Sequence, residues 1–168
     1  RPVVPPPDGV AIVVVDVATA TVTALVGARV PRADGGDARG RPRSAGSTLK
    51  PFLYALALDR GGRDPVTRAG PLAAPPSVAT PASEALAVSL NLPAVRLAAA
   101  LPRDAFARLL GACGFARVRA PEGRRDADLA LGTDDVTPLE LAEAATALAA
   151  GGQHRPLRFA VDGPPAPP

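Results

Sequence analysis

The stretch Ser44-Ala45-Gly46-Ser47-Thr48-Leu49-Lys50-Pro51-Phe52 contains the only lysine of a 168-residue chain. The only asparagine ends a second short run, Ser89-Leu90-Asn91. Serine is scarce, so a serine at the observed offset from Lys50 is expected about 3% of the time, and likewise before Asn91. The chance of both is on the order of one in a thousand. The two runs therefore form a pair of motifs, S-x-x-K followed by S-x-N.

Ser47 and Lys50 suit nucleophilic chemistry. Residues three apart share one face of a helix, so the two side chains can lie within hydrogen-bonding reach. A serine hydroxyl needs a base beside it, and a lysine is a base only when burial or a neighbouring cation lowers its pKa. The apolar residues after Lys50 favour such burial. The alternative is structural: Ser47 caps a helix with Lys50 solvated, and Ser and Asn mark a loop between helices.

The composition indicates a folded domain without a nucleic-acid surface. Apolar residues make up 47% of the chain and the net charge is +3, with arginines and acids interspersed. The densest basic stretch, 39–43, lies in a Gly/Pro loop without aromatic residues, so nucleic acid is not an expected partner. Neither a signal peptide nor 18 consecutive apolar residues is present, and we expect no membrane anchor in this chain.

Two isolated side chains are not expected to form sites. Cys113 is the only cysteine, which excludes an internal disulfide, and its apolar neighbours indicate a small buried side chain. His154 has no second His or Cys nearby, so a solvated loop is favoured over a metal ligand.

The pattern along the chain predicts a strand hairpin followed by helices. The all-apolar run 10–17 is typical of a strand covered on both faces, and the alternating run 21–26, ending at Gly27, should pair with it. Residues 29–46 and 63–80 are predicted loops. The predicted helices run from Ser47 to about Asp59, from Pro81 to Val88, from Leu92 onward, from Leu101 to Ala112 and from Pro138 to Ala150.

In these motifs the chain resembles the transpeptidase domain of penicillin-binding proteins, particularly class A bifunctional enzymes of the 1C subtype. The most specific parts are the runs S-T-L-K-P-F and S-L-N-L-P-A-V. The other matching runs are 9–16, 24–27, 84–86, 129–132 and 136–142. The resemblance implies an α+β fold: a partial transpeptidase (β-lactamase-like serine acyltransferase) fold with its N-terminal hairpin and helical region but without the C-terminal strands. The Pro-rich residues 1–8 are predicted to be a linker and 163–168 a disordered Pro-rich tail, which leaves 9–162 as the incomplete domain.

The resemblance also implies a mechanism and partners. Ser47 would attack the bond between two D-alanines of a peptidoglycan stem peptide, and Lys50 would take the serine proton. Ser89 would relay a proton to the leaving amine, while Asn91 would bind the substrate amide. β-Lactam antibiotics would acylate Ser47. No metal or organic cofactor is implied, and the expected location is the cell envelope, at the outer face of the cytoplasmic membrane.

The family's third motif, K-T-G, does not occur in this sequence, because Lys50 is the sole lysine and no Thr-Gly dipeptide exists. In the family this motif lies on a strand that binds the substrate carboxylate and supplies an oxyanion-hole donor. Loss of such a donor typically costs about a hundred- to a thousand-fold in rate. Three hypotheses remain open. The chain is an incomplete D,D-transpeptidase, an inactive remnant that binds a partner, or another S-x-x-K hydrolase related to β-lactamases or penicillin sensors.

Overall fold

Six helices and five strands are formed by the residues that the computed structural model describes, which are 10–27, 40–61, 81–118 and 126–159. The strands are β1 Ala11–Asp16, β2 Thr21–Gly27, β3 Arg43–Ser44, β4 Asp135–Val136 and β5 Arg158–Phe159. The helices are α1 Lys50–Gly61, α2 Ala82–Ala87, α3 Asn91–Ala100, α4 Ala105–Ala112, α5 Asp126–Ala130 and α6 Pro138–Ala149, with a 3-10 turn at Gly46–Leu49 before α1. This mixture confirms the predicted α+β class.

The chain divides into two compact units. Unit 1 comprises Arg1–Arg43, Cys113–Phe115 and Val136–Pro168, and unit 2 comprises Ser44–Ala112 and Ala116–Asp135. The predicted linker 1–8, tail 163–168 and loop 63–80 lie outside the described residues, as does most of the predicted loop 29–46.

The sheet of unit 1 contains the predicted hairpin. β1 and β2 pair antiparallel from Ala11 opposite Gly27 to Asp16 opposite Thr21, with an irregularity between Val14 and Val15. β5 pairs parallel with β2, so the strand order is β1-β2-β5, and α6 packs on β1. The sequence analysis did not predict β5, because two residues are too few to show a strand period.

The expectation that β1 is covered on both faces is wrong. Its residues alternate between half-buried and exposed, and Ile12, Val14 and Val26 are 53%, 47% and 59% exposed. Ile12 and Val26 are direct cross-strand partners, so these side chains form one apolar face. A continuous apolar run shows only that a strand is suited to burial on both faces. Whether both faces are covered depends on other segments of the fold.

A histidine–carboxylate pair holds the loop after α6. His154 Nε2 lies 2.7 Å from Glu143 Oε1, and the second carboxylate oxygen of Glu143 accepts a hydrogen bond from the Leu157 backbone N–H at 3.2 Å. A Cβ on Gly114, whose φ is +98°, would overlap the Glu143 carboxylate and lie 3.2 Å from His154 Nε2. The predicted solvated His154 therefore lies in a loop, as expected, but its ring is held by a carboxylate that the sequence did not identify.

The core of unit 2 surrounds α1, which packs against α2, α3 and α4. Leu49, Phe52 and Leu53 are at most 2% exposed. The helix predicted from Leu101 begins only at Ala105, after a turn in which Asp104 adopts a left-handed φ of +59°. The helix predicted from Ser47 is correct in place, but its first turn is 3-10 and the α-helix begins at Lys50.

Helix α6 begins with the predicted capping box. The Glu140 backbone N–H donates to Thr137 Oγ1 at 3.1 Å, and Glu140 Oε2 accepts from the Thr137 backbone N–H at 2.7 Å. Both bonds occupy donors that the helix itself leaves without partners. Pro138 follows at the first helical position, as predicted.

We predict that Thr137→Ala lowers the free energy of unfolding by about 1 kcal/mol, because it removes the side-chain acceptor of the cap. Urea unfolding followed by circular dichroism measures this loss. Thr137→Ser, which keeps the hydroxyl, is the matched control and should remain close to the unsubstituted chain. Equal destabilisation by both variants would contradict a role for the cap.

Candidate active site

Ser47 lies in the 3-10 turn that leads into α1, and its side chain is exposed. The backbone N–H of Lys50 donates to the carbonyl oxygen of Ser47, which continues the turn into the helix. Among the described residues, no hydrogen bond joins Ser47 Oγ to Lys50 Nζ. Catalytic hydrogen bonds in unliganded sites are often long and tighten only with substrate. The nucleophile candidate is thus accessible and one turn from the lysine, and the expected reach between the two side chains stays a prediction.

Lys50 is buried, at 1% exposure, and brings the two motifs together. Its Nζ donates to the backbone oxygen of Ser89 at 2.6 Å, to Ser89 Oγ at 3.1 Å and to Asn91 Oδ1 at 2.7 Å. An ammonium has three N–H donors, and three acceptors are present. The structure therefore excludes the alternative of a solvated Lys50 and a separate Ser/Asn loop.

Burial lowers the pKa of Lys50 from its ordinary value of 10.5. Desolvation disfavours the charged form, while hydrogen bonds to acceptors act in the opposite sense. The net direction is downward, which is the direction required of a lysine that must lose its proton to act as a base.

Ser89 occupies an unusual backbone position at the end of α2. Its N–H donates to the Leu86 carbonyl and the next N–H, of Leu90, donates to the Ala85 carbonyl, which is the Schellman pattern of a helix end. The residue at this position is left-handed and is usually glycine. Ser89 is left-handed, with φ +57°, although it carries a side chain. A serine is therefore held at a strained position whose carbonyl and hydroxyl both reach Lys50.

The left-handed backbone of Ser89 is a feature that the sequence analysis missed. The predicted helix ended at Val88, so the rule for helix ends would have placed a left-handed residue at 89. Because residue 89 is serine, the glycine that usually signals a left-handed conformation was missing. Asn91 is the first residue of α3, which packs against α1, and its position follows from that packing.

Backbone contacts hold the start of the 3-10 turn. The Ala45 N–H donates to the Asp134 carbonyl and the Gly46 N–H to the Gly132 carbonyl, both at 3.0 Å. Ser44 Oγ donates to the same Gly132 oxygen at 2.8 Å. The 3-10 turn is thus anchored immediately before Ser47, the candidate nucleophile.

The described ranges contain neither a metal-binding cluster of side chains nor a helix suited to crossing a membrane. No group of three or more His, Cys, Asp or Glu side chains there could hold a metal ion. Similarly, none of the helices in those ranges has the length and apolar character needed to cross a membrane.

Fold and site together define a domain built like the penicillin-recognising serine enzymes, with the S-x-x-K and S-x-N motifs in contact. The chain belongs to the penicillin-binding protein transpeptidase family. The family described as "Penicillin binding protein transpeptidase domain" matches residues 10–164. The resemblance drawn from the sequence is confirmed.

Curated relatives match about two thirds to three quarters of the chain. Penicillin-binding protein 1C of Escherichia coli K12 is 34% identical over 134 residues, which cover 73% of this chain and 17% of that protein. Penicillin-binding protein 1A of Neisseria meningitidis is 31% identical over 128 residues, covering 66% and 16%. The chain therefore spans less than a fifth of the length of these relatives.

Solved structures share the fold. The transpeptidase domain of Burkholderia pseudomallei penicillin-binding protein 3 aligns with a TM-score of 0.72 at 24% identity, covering 95% of this chain and 55% of that one. A structure titled as a peptidoglycan glycosyltransferase from Burkholderia ambifaria aligns with a TM-score of 0.71 at 23% identity, covering 95% and 58%. The chain corresponds to little more than half of each solved chain.

We predict that Ser89→Gly is more stable than Ser89→Ala by about 1 kcal/mol, because both lose the hydroxyl but only glycine adopts the left-handed conformation without cost. Urea unfolding of the two variants gives this difference. The same pair of substitutions at Ser83, an exposed residue inside α2, is the control, and there alanine should be the more stable. An alanine at 89 as stable as glycine would show that the site is not strained.

Proposed function

We propose that this chain carries the nucleophile, the base and the S-x-N motif of a serine D,D-transpeptidase that cross-links peptidoglycan. The observation that supports this most strongly is the buried Lys50, whose donors all meet groups of Ser89 and Asn91. These hydrogen bonds compensate the buried charge, and they also place a serine and an asparagine directly beside a candidate base, as the S-x-x-K and S-x-N motifs of penicillin-recognising enzymes require.

The proposed reaction begins at Ser47. Its Oγ attacks the carbonyl between the two D-alanines of a stem peptide and expels the terminal D-alanine, leaving an acyl-enzyme. Lys50 takes the serine proton, Ser89 passes a proton to the leaving amine, and Asn91 binds the substrate amide. An amine of a neighbouring stem then resolves the ester into a cross-link, while water in its place gives carboxypeptidase activity.

The contacts of Lys50 suggest how the proton moves. A neutral amine keeps two N–H donors and gains one lone pair. The Ser89 carbonyl and Asn91 Oδ1 carry no proton, so the two N–H groups stay on them. Ser89 Oγ can instead reverse its hydrogen bond and donate to Nζ, which supports Ser89 as a proton relay next to the base.

The proposed partners follow from this chemistry. They are stem peptides ending in D-Ala-D-Ala and β-lactam antibiotics, which present a strained amide to the same serine. Such substrates lie outside the cytoplasmic membrane, so the proposed location is the cell envelope. The proposed reaction requires no metal or organic cofactor.

The sequence favours one further candidate function, a transpeptidase-fold module that binds in the envelope without acylation. The observation behind it is the absence of K-T-G from the sequence, since Lys50 is the only lysine. A site that lacks one oxyanion-hole donor typically loses about a hundred- to a thousand-fold in rate.

We predict that benzylpenicillin adds one drug molecule to this chain, and that Ser47→Ala abolishes the adduct. Intact-protein mass spectrometry after incubation measures it. Ser83→Ala, which removes an exposed serine of α2, is the matched control and should be acylated normally. A folded chain that never forms an adduct would support the binding module instead, and an adduct that survives Ser47→Ala would place the nucleophile elsewhere.

The acylation rate should rise with pH until Lys50 has lost its proton. Only the neutral amine accepts the Ser47 proton, so below its pKa the rate falls by about tenfold per pH unit. Because burial lowers this pKa, the rise should lie below pH 10.5, the ordinary lysine value. Acylation rates measured across pH, with circular dichroism to confirm folding, test this. A rate that does not change with pH would argue against Lys50 as the base.

A further inference from the structure

The 3-10 turn that carries Ser47 has no side-chain cap of its own. Its N-cap residue is Ala45, and no side chain accepts a hydrogen bond there. The start of the turn is held instead by the segment that follows α5, through the bonds from the Ala45 and Gly46 N–H groups to the carbonyls of Asp134 and Gly132. The position of Ser47 therefore depends on residues more than eighty positions away in the sequence.

Gly132 can make this contact only as glycine. It ends α5 in the Schellman pattern, with its own N–H on the Leu129 carbonyl and the Thr133 N–H on the Asp128 carbonyl, and its φ is +69°. A Cβ at 132 would overlap the backbone atoms of Gly46, which, unlike a flexible side chain, cannot move aside cheaply. By contrast, a Cβ on Gly46 would meet no atom within 4 Å.

Ser44 adds a second hydrogen bond to the Gly132 carbonyl. Its Oγ donates to the Gly132 oxygen at 2.8 Å, beside the Gly46 N–H at 3.0 Å, so one carbonyl accepts two hydrogen bonds from residues just before Ser47. Ser44 itself is exposed, and its hydroxyl contributes little to the core. The arrangement fixes the register of the turn rather than filling space.

We propose that Gly132 and Ser44 are positioning residues that set Ser47 at its attack position. The proposal rests on the proposed acyl transfer at Ser47. A displacement of the nucleophile by about 1 Å can cost about a hundred-fold in rate, so a loosened turn slows acylation without weakening the prior encounter with the drug.

The test is Ser44→Ala in the full chain, with benzylpenicillin as the probe. Acylation measured over a range of drug concentrations separates the acylation rate constant from the dissociation constant of the non-covalent complex. We expect the rate constant to fall about tenfold with the dissociation constant unchanged. Ser44→Thr keeps the hydroxyl and should restore the rate. Wild-type acylation by Ser44→Ala would overturn the proposal.

Gly132→Ala is the stronger variant, expected to lose at least a hundred-fold in the acylation rate constant if it folds. Its control is Gly111→Ala in α4, where a Cβ would meet no atom within 4 Å, and which should acylate normally. If Gly132→Ala does not fold, Ser44→Ala and Ser44→Thr carry the test. Equal rates for Gly132→Ala and Gly111→Ala would overturn the proposal.

Amide hydrogen exchange separates this proposal from the proposed function. If the wild-type chain forms no adduct, the proposed function fails, yet exchange at the Gly46 amide still reports the anchor. The proposal requires this amide to be protected in the wild type and to exchange faster in Ser44→Ala, while the Leu141 amide of α6 is unchanged. A Gly46 amide that exchanges freely in the wild type would overturn it.

Discussion

The rest of unit 2 depends on the burial of one charge. Lys50 is 1% exposed, and an ammonium removed from water without partners costs several kcal/mol. The three oxygens that compensate this cost come from Ser89 and Asn91. Consequently α1 and α3 cannot separate, and the link between α2 and α3 cannot change shape, without leaving the charge unpaired. The same interaction that could make Lys50 a base therefore also fixes the helices around it.

The site is assembled from helix ends rather than from helix faces. Carbonyl groups at the end of a helix have no partner inside the helix, and a left-handed residue turns its own carbonyl away from the axis. Ser89 at the end of α2 directs its carbonyl to Lys50, and Gly132 at the end of α5 directs its carbonyl to the turn before Ser47. α6 ends in the same pattern at Gly151, where φ is +70° and glycine adopts it without strain. Of these three left-handed positions, only 89 is not glycine, and the Ser89 side chain contacts Lys50.

The sequence predicted those parts of the molecule that depend on local interactions. The capping box at Thr137 and the hairpin of β1 and β2 each rely on residues close in sequence, and both are confirmed. The motif residues were predicted because Lys and Asn are otherwise absent from the chain. In contrast, the exposed face of β1, the pairing of His154 with Glu143 and the strand β5 depend on which distant segments meet. The left-handed Ser89 was missed for a different reason, since this position carries a serine and not the glycine that usually marks it.

Ser47 and Lys50 have opposite requirements, and a single turn of chain meets both. As the proposed nucleophile, Ser47 must reach a substrate in solvent, whereas Lys50, as the proposed base, must be removed from solvent for its pKa to fall. Ser47 is exposed and Lys50 is buried, although only two residues separate them. Because residues three apart share a face of an α-helix, a helix already formed at Ser47 would turn both side chains towards the same surroundings. The place where the 3-10 turn becomes α1 thus sets the boundary between solvent and core. This is why the contacts that hold the start of that turn matter as much to Ser47 as those that hold Lys50.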